Sequence, residues 1–189
     1  RDQALKNYGF DASKPVLLVV GGSLGARSIN LALKDGVDVL LDAGIQVIWQ
    51  TGKLFAEESK QILSSRKDKP LVITEFIFDM DMAYAAADVV ISRAGAIAVS
   101  ELCIIGKPTV LVPFPFAAED HQTKNAEALV KTHAAIMVAD KNASKELIPA
   151  IKSLVADDAK RTLLSENIKK HALPSAASHI AQHVINLAQ

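Results

Sequence analysis

Several features are scarce in this sequence, and each scarcity excludes a class of function. There is one cysteine, Cys103, in 189 residues. That excludes an internal disulfide framework and a cysteine-based zinc site, and a thiol with no histidine near it in sequence reads as a small buried apolar group. Neither sign of charge is in excess, because 21 basic residues meet 21 acidic ones. A polyanion partner needs a basic face, so no nucleic acid is expected. No apolar run approaches the roughly 18 residues of a membrane span. No signal peptide opens the chain, and a start at Arg1 without methionine reads as a fragment or a processed product.

Catalytic and cofactor motifs are missing too. A dinucleotide fingerprint needs G-x-G-x-x-G, and the nearest register here is Val20, Gly22, Gly25. The second predicted strand ends in Gln50-Thr51 rather than in an acid that would hold an adenosine ribose, so NAD is disfavoured. Neither Gly52-Lys53 nor Gly106-Lys107 sits in a Walker A loop. There is no Ser-His-Asp order, no G-x-S-x-G elbow and no carboxylate pair at the strand ends. His179 and His183 are spaced i, i+4 on the last predicted helix, but without H-E-x-x-H or a third ligand they read as a solvated or packed face. No cofactor, no metal and no complete set of catalytic residues is expected.

What the chain does have is apolar material in short runs. Half of its residues are hydrophobic. Runs at Val16–Val20, Gln46–Gln50, Leu71–Thr74, Val89–Ser92, Thr109–Val112 and Ala135–Val138 are rich in valine and isoleucine. Most are continuous rather than alternating, as expected of parallel strands covered on both faces. Helical patterns lie between them, at Ala26–Asp42, Leu54–Ser65, Asp79–Ala87, Ala96–Ile105 and Asn125–Thr132. Three more follow without strands, at Ser144–Val155, Ala159–Lys170 and Ser175–Leu187, with Ser144 and Ser175 as capped starts. The prediction is a Rossmann-like, doubly wound α/β domain of about six parallel strands with C-terminal helices. Residues 1–15 read as a polar linker, 16–172 as the ligand-binding domain, and 173–189 as a terminal helix.

Ligands of such sheets bind outside the carboxyl ends of the strands. The most informative exit is VVISRAGAIAVSE, Val89–Glu101: a buried strand, a glycine turn, and a helix from about Ala96. Backbone N–H groups and the positive end of a helix dipole converge there, which outlines an anion site. A carboxylate beside a phosphate would repel it, so Glu101 suits neighbouring sugar hydroxyls. Gly21-Gly22-Ser23-Leu24-Gly25-Ala26-Arg27-Ser28 is either a tight turn needing no ligand or a loop facing an anion. Thr74–Met80 is unusually apolar for a loop, so Phe76 and Ile77 either pack on the core or form a wall for a flat base. After Pro113-Phe114-Pro115-Phe116, residues Glu119 and Asp120 cap the next helix and place His121 and Gln122 in its first turn, near Glu101.

Four pieces, each at a predicted strand exit and in the same order, resemble a known family: VVGGSLGARSIN, TEFIFDM with AYAAADVVISRAGAIAVSEL, GKPTVLVPFPFAAEDHQTKNA, and the trailing helices. The chain resembles the C-terminal half of the MurG family of bacterial UDP-N-acetylglucosamine transferases. The resemblance implies one half of a glycosyltransferase B (GT-B) fold that binds UDP-N-acetylglucosamine. On matching positions, it implies that Gly22 and Ser23 face the diphosphate and that Ile77 reads uracil through its backbone. It implies that Gly95 and the N–H groups of Ala96, Ile97 and Ala98 hold the phosphates. It further implies that Glu101 binds the ribose, and that His121 and Gln122 lie near the N-acetylglucosamine hydroxyls. Many relatives have threonine where this chain has Ala98, and two glutamines where it has His121-Gln122.

The resemblance also implies a metal-independent, inverting transfer of N-acetylglucosamine to lipid I, giving lipid II for peptidoglycan. The acceptor site, the catalytic base and the peripheral membrane contact would belong to an N-terminal half outside this sequence, at the cytoplasmic face of the inner membrane. An arginine shortly before the first strand contacts the donor in relatives, and Arg1 is a candidate for it. The alternatives are the donor domain of another UDP-sugar transferase, the donor subunit of the two-part eukaryotic enzyme acting on dolichol diphosphate, or a non-catalytic nucleotide-binding module.

Overall fold

The computed structural model describes residues 1–187. Six strands form one sheet: β1 (Val16–Val20), β2 (Gln46–Gln50), β3 (Leu71–Thr74), β4 (Val89–Ser92), β5 (Thr109–Leu111) and β6 (Ile136–Met137). Their order is β3-β2-β1-β4-β5-β6, and every pairing is parallel. The helices are α1 (Asp2–Tyr8), α2 (Arg27–Asp42), α3 (Ala56–Ser64), α4 (Met80–Ala86), α5 (Ala96–Ile105), α6 (His121–Lys131), α7 (Ala143–Val155), α8 (Asp158–Lys169) and α9 (Ala176–Leu187).

The continuous apolar runs are explained by cover on both faces. In β1, Leu17 and Val19 enter one core, with α2 and α7, while Val16 and Leu18 enter the other, with α1, α4 and α5. All four are fully buried. On α2, Ile29, Leu33, Val37 and Leu40 make one buried stripe. Each such side chain contributes about 1.5–3 kcal/mol on leaving water, which holds a helix of this length far better than its propensity does.

The ends depart from the sequence reading. Residues 1–15 are not a linker: Asp2–Tyr8 is helical, and Ala4, Leu5 and Phe10 are buried against the sheet. Their few apolar side chains sit among polar ones, so composition hid them. Ser144 is not a cap, because α7 already starts at Ala143. Helix α6 starts at His121 rather than Asn125, directly after Glu119 and Asp120 in left-handed backbone (φ 51° and 55°). Strand β6 is only two residues long, and its one partner strand is β5.

One buried polar link joins α2 to the end of β2. Asn30 donates through Nδ2 to the Thr51 carbonyl (2.8 Å) and accepts from Trp49 Nε1 (3.0 Å). Trp49 and Thr51 are fully buried. Asn30→Ala strands a buried donor and a buried acceptor, each costing about 1–3 kcal/mol. Urea unfolding should show roughly 2–4 kcal/mol lost with an unchanged slope.

Candidate functional site

The chain leaves β1 and β4 in opposite directions, so their adjacent carboxyl ends open a crevice. Two glycines shape its first wall. Gly25 (φ +83°) and Gly52 (φ +75°) lie backbone to backbone. A Cβ on Gly25 would sit 2.1 Å from the Thr51 carbonyl oxygen, and one on Gly52 would sit 2.1 Å from Gly25 N. Lys53 N–H donates to the Ser23 carbonyl at 3.2 Å. The loop after β1 is thus pinned to the loop after β2, while Gly22 and Ser23 remain exposed at its tip.

The second wall is the start of α5. Gly95 is extended and offers no side chain as a cap. The first helical bond runs from Val99 N–H to the Gly95 carbonyl (2.9 Å). The N–H groups of Ala96, Ile97 and Ala98 therefore have no intrahelical acceptor and lie at the positive end of the helix. Glu101 is exposed on this helix, and Tyr84 Oη on α4 is 3.5 Å from its Oε2. Burial pushes the Tyr84 phenol up to about 12, and the Glu101 carboxylate adds to the rise.

Gln122 ties three segments together. Its Oε1 accepts from Phe114 N–H (3.0 Å) and Ala94 N–H (3.2 Å), and Asn125 Nδ2 donates to the Ala94 carbonyl (3.0 Å). With its oxygen occupied, Gln122 presents Nε2 beside Gly95. His121 is exposed, and its Nδ1 lies 2.7 Å from the Ala118 carbonyl. A carbonyl only accepts, so Nδ1 is the donor in this bond.

Ile77 is buried in the same core cluster as Ala94 and Leu102. Its N–H donates to Gln50 Oε1 (3.0 Å). That bond occupies the Ile77 N–H, while its carbonyl accepts no hydrogen bond from the described residues. Phe76 and Phe78 flank it on the surface, with ring centroids 5.2 Å apart. Arg1 lies elsewhere: it forms an ion pair with Asp88, just before β4, at the amino end of the strands. Cys103 is buried, and burial pushes its thiol up.

The sequence reading missed the residue at the centre of this edge. Arg93 Nη1 donates to the Val112 and Pro113 carbonyls (3.0 and 3.2 Å), and its Nη2 to Ser28 Oγ (3.2 Å). Arg93 also forms an ion pair with Asp140, which accepts from the Ser28 hydroxyl as well. Its guanidinium carbon is 5.5 Å from the centre of the Phe114 ring. These bonds join the exits of β4 and β5, the start of α2 and the turn after β6. Beside them opens a cavity of about 610 Å³, lined among others by Arg27, Arg93, Phe116 and Gln122. Glu101 and Ile77 do not line it; they belong to the open part of the same edge.

A doubly wound sheet with a glycine loop and free helix N–H groups at its switch point defines a Rossmann-type ligand-binding domain. More narrowly, the chain belongs to the family described as the glycosyltransferase family 28 C-terminal domain, whose sequence model matches residues 16–182. It is 46% identical over 187 residues to a protein of Parabacteroides distasonis and 50% identical over 188 residues to one of Bacteroides thetaiotaomicron. Both are named UDP-N-acetylglucosamine–N-acetylmuramyl-(pentapeptide) pyrophosphoryl-undecaprenol N-acetylglucosamine transferase. The alignments cover 99% and 98% of this chain, which spans about half the length of these relatives (51% and 50%). The crystal structure of Acinetobacter baumannii MurG superposes with a TM-score of 0.77 at 29% identity, over 97% of this chain and 53% of that one. The fold is one half of a GT-B glycosyltransferase.

Two outcomes follow from the geometry. Arg93→Met takes the cation from the Asp140 carboxylate, leaving it only the Ser28 hydroxyl, and takes the guanidinium donor from two carbonyls. With both side chains mostly buried (15% and 21% exposed), denaturant unfolding should show a loss of about 2–4 kcal/mol. Tyr84 is protonated in the fold beyond its ordinary pKa of 10.0, so its contribution is complete below pH 10 and lost as pH rises through about 12. Tyr84→Phe should flatten the decline of stability across that window, measured by unfolding at stepped pH.

Proposed function

We propose that this chain is the donor-binding half of an N-acetylglucosaminyltransferase, holding UDP-N-acetylglucosamine across the β1–β4 crevice. The observation that carries this is the row of unpaired N–H groups at Ala96–Ala98 with Glu101 about one and a half turns further on. It occurs in a chain that matches N-acetylglucosamine transferases over essentially its whole length. The diphosphate lies at Gly22, Ser23 and Gly95–Ala98. The uracil lies against Ile77, the ribose at Glu101, and the sugar near His121 and Gln122.

The chemistry suits an inverting transfer. When the bond between the sugar and the β-phosphate breaks, negative charge grows on the phosphate. Preorganised N–H donors stabilise that charge without reorganising. The acceptor, an N-acetylmuramyl-(pentapeptide) pyrophosphoryl-undecaprenol, and the base that activates its hydroxyl belong to an N-terminal half at the cytoplasmic face of the membrane. Helix α9 fits this division. Ile180, Val184 and Leu187 form an exposed apolar stripe at i, i+4 and i+7, a face for the other half to cover.

Calorimetry with UDP tests the assignment of Glu101. Glu101→Ala should cost about 1.5–3 kcal/mol of UDP binding, the range for a charge-assisted hydrogen bond, and unchanged affinity removes Glu101 from the site. The chain alone should bind the donor and transfer nothing; turnover by the chain alone contradicts the division between halves.

A further inference from the structure

Strand β4 is buried along its whole length and has a helix on each side of it in the chain, α4 before and α5 after. Ala83 and Ala86 anchor α4 in the same core cluster that takes Leu102 and Cys103 of α5. Both helices are therefore held to one strand, and the side chains between them meet at a set distance. Glu101, next in the chain to the two anchors of α5, is exposed. It makes no ion pair among the described residues. Its side-chain hydrogen-bond partner there is the Tyr84 hydroxyl, 3.5 Å from Oε2. Tyr84 packs half-buried against the core cluster, so its ring is the fixed member of the pair. An ionised carboxylate only accepts, so the phenol is the donor. Burial, together with the Glu101 charge, keeps that phenol protonated. The contact is long for an O–H···O bond, as hydrogen bonds in an empty site often are before a ligand tightens them.

We propose that Tyr84 is a positioning residue for Glu101: its hydroxyl holds Oε2, so that the carboxylate is already oriented when the ribose hydroxyls of a nucleotide arrive. This rests on the reading of Glu101 as the ribose acceptor. A carboxylate has two oxygens with room for several donors, so one bond to Tyr84 leaves Oε1 whole for the ligand. An exposed glutamate without such a partner samples many rotamers and loses that freedom on binding. Restricting it beforehand in the free protein moves the loss out of the binding step. Tyr84 acts through Glu101 and need not touch the ligand. Its effect is therefore confined to nucleotides that carry ribose hydroxyls, and it vanishes when the carboxylate is removed.

Calorimetric titration of the chain with UDP and with 2′,3′-dideoxyuridine 5′-diphosphate, which lacks both hydroxyls, tests this at pH 7.5. Tyr84→Phe keeps the ring and removes only the hydroxyl. UDP affinity should fall about three- to tenfold, the scale of one hydrogen bond, while affinity for the dideoxy nucleotide holds. The preference for UDP over the dideoxy nucleotide should fall by the same factor. Adding Tyr84→Phe to Glu101→Ala should cost nothing further, because the two act as one unit. The ratio is read within each variant, so a partly unfolded sample does not imitate the effect. A purely structural role for Tyr84 weakens both nucleotides alike, and that result overturns the assignment. Unchanged UDP affinity in Tyr84→Phe, or additive losses in the double variant, overturns it as well. A wild-type chain that binds both nucleotides equally overturns the ribose reading of Glu101, and this inference with it.

Discussion

One guanidinium holds the carboxyl edge of the sheet together. Strand exits are loops, and loops at a crevice have no ladder to fix them. Arg93 supplies the missing bonds: two carbonyls after β5, the Ser28 hydroxyl in the first turn of α2, and the Asp140 carboxylate after β6. A lysine would carry the charge but not the planar fork that reaches these acceptors together. Because Arg93 is the first residue after β4, the same contacts set where Gly95 lies and where α5 begins. The direction of the free N–H groups is therefore inherited from a side chain that need not touch a ligand.

A second pattern runs along the edge. Gln122 and Gln50 both commit their side-chain oxygens to backbone N–H groups, and Gln122 keeps its nitrogen beside Gly95. With the helix N–H groups, this makes a surface rich in donors and poor in net charge. Such a surface suits a ligand that is itself rich in oxygen. Glu101 is the counterpoint, an acceptor set where hydroxyl donors are expected.

The fold was legible because its signal is local. Six runs of buried valine and isoleucine, spaced for βαβ units, gave the strands almost residue for residue, and Ala96–Ile105 is the helix as read. The α1 segment was not legible, since only Ala4, Leu5 and Phe10 of its surroundings are buried and they follow no long period. At the site, backbone features were legible, because glycine after a strand has few other uses. Side-chain networks were not. Arg93 and Asp140 are 47 positions apart, and nothing in either neighbourhood announces the other. Gln50 was weighed only as the absence of an acid, because its meaning depends on Ile77, 27 positions later.

The central claim is that the start of α5 receives a nucleotide diphosphate. An amide-resolved NMR titration of the chain with UDP tests it most directly. The largest shifts are predicted at the N–H groups of Ala96, Ile97 and Ala98, with a second set in the loop around Ile77. Silent α5 amides, or shifts confined to the cavity beside Phe116, would contradict it.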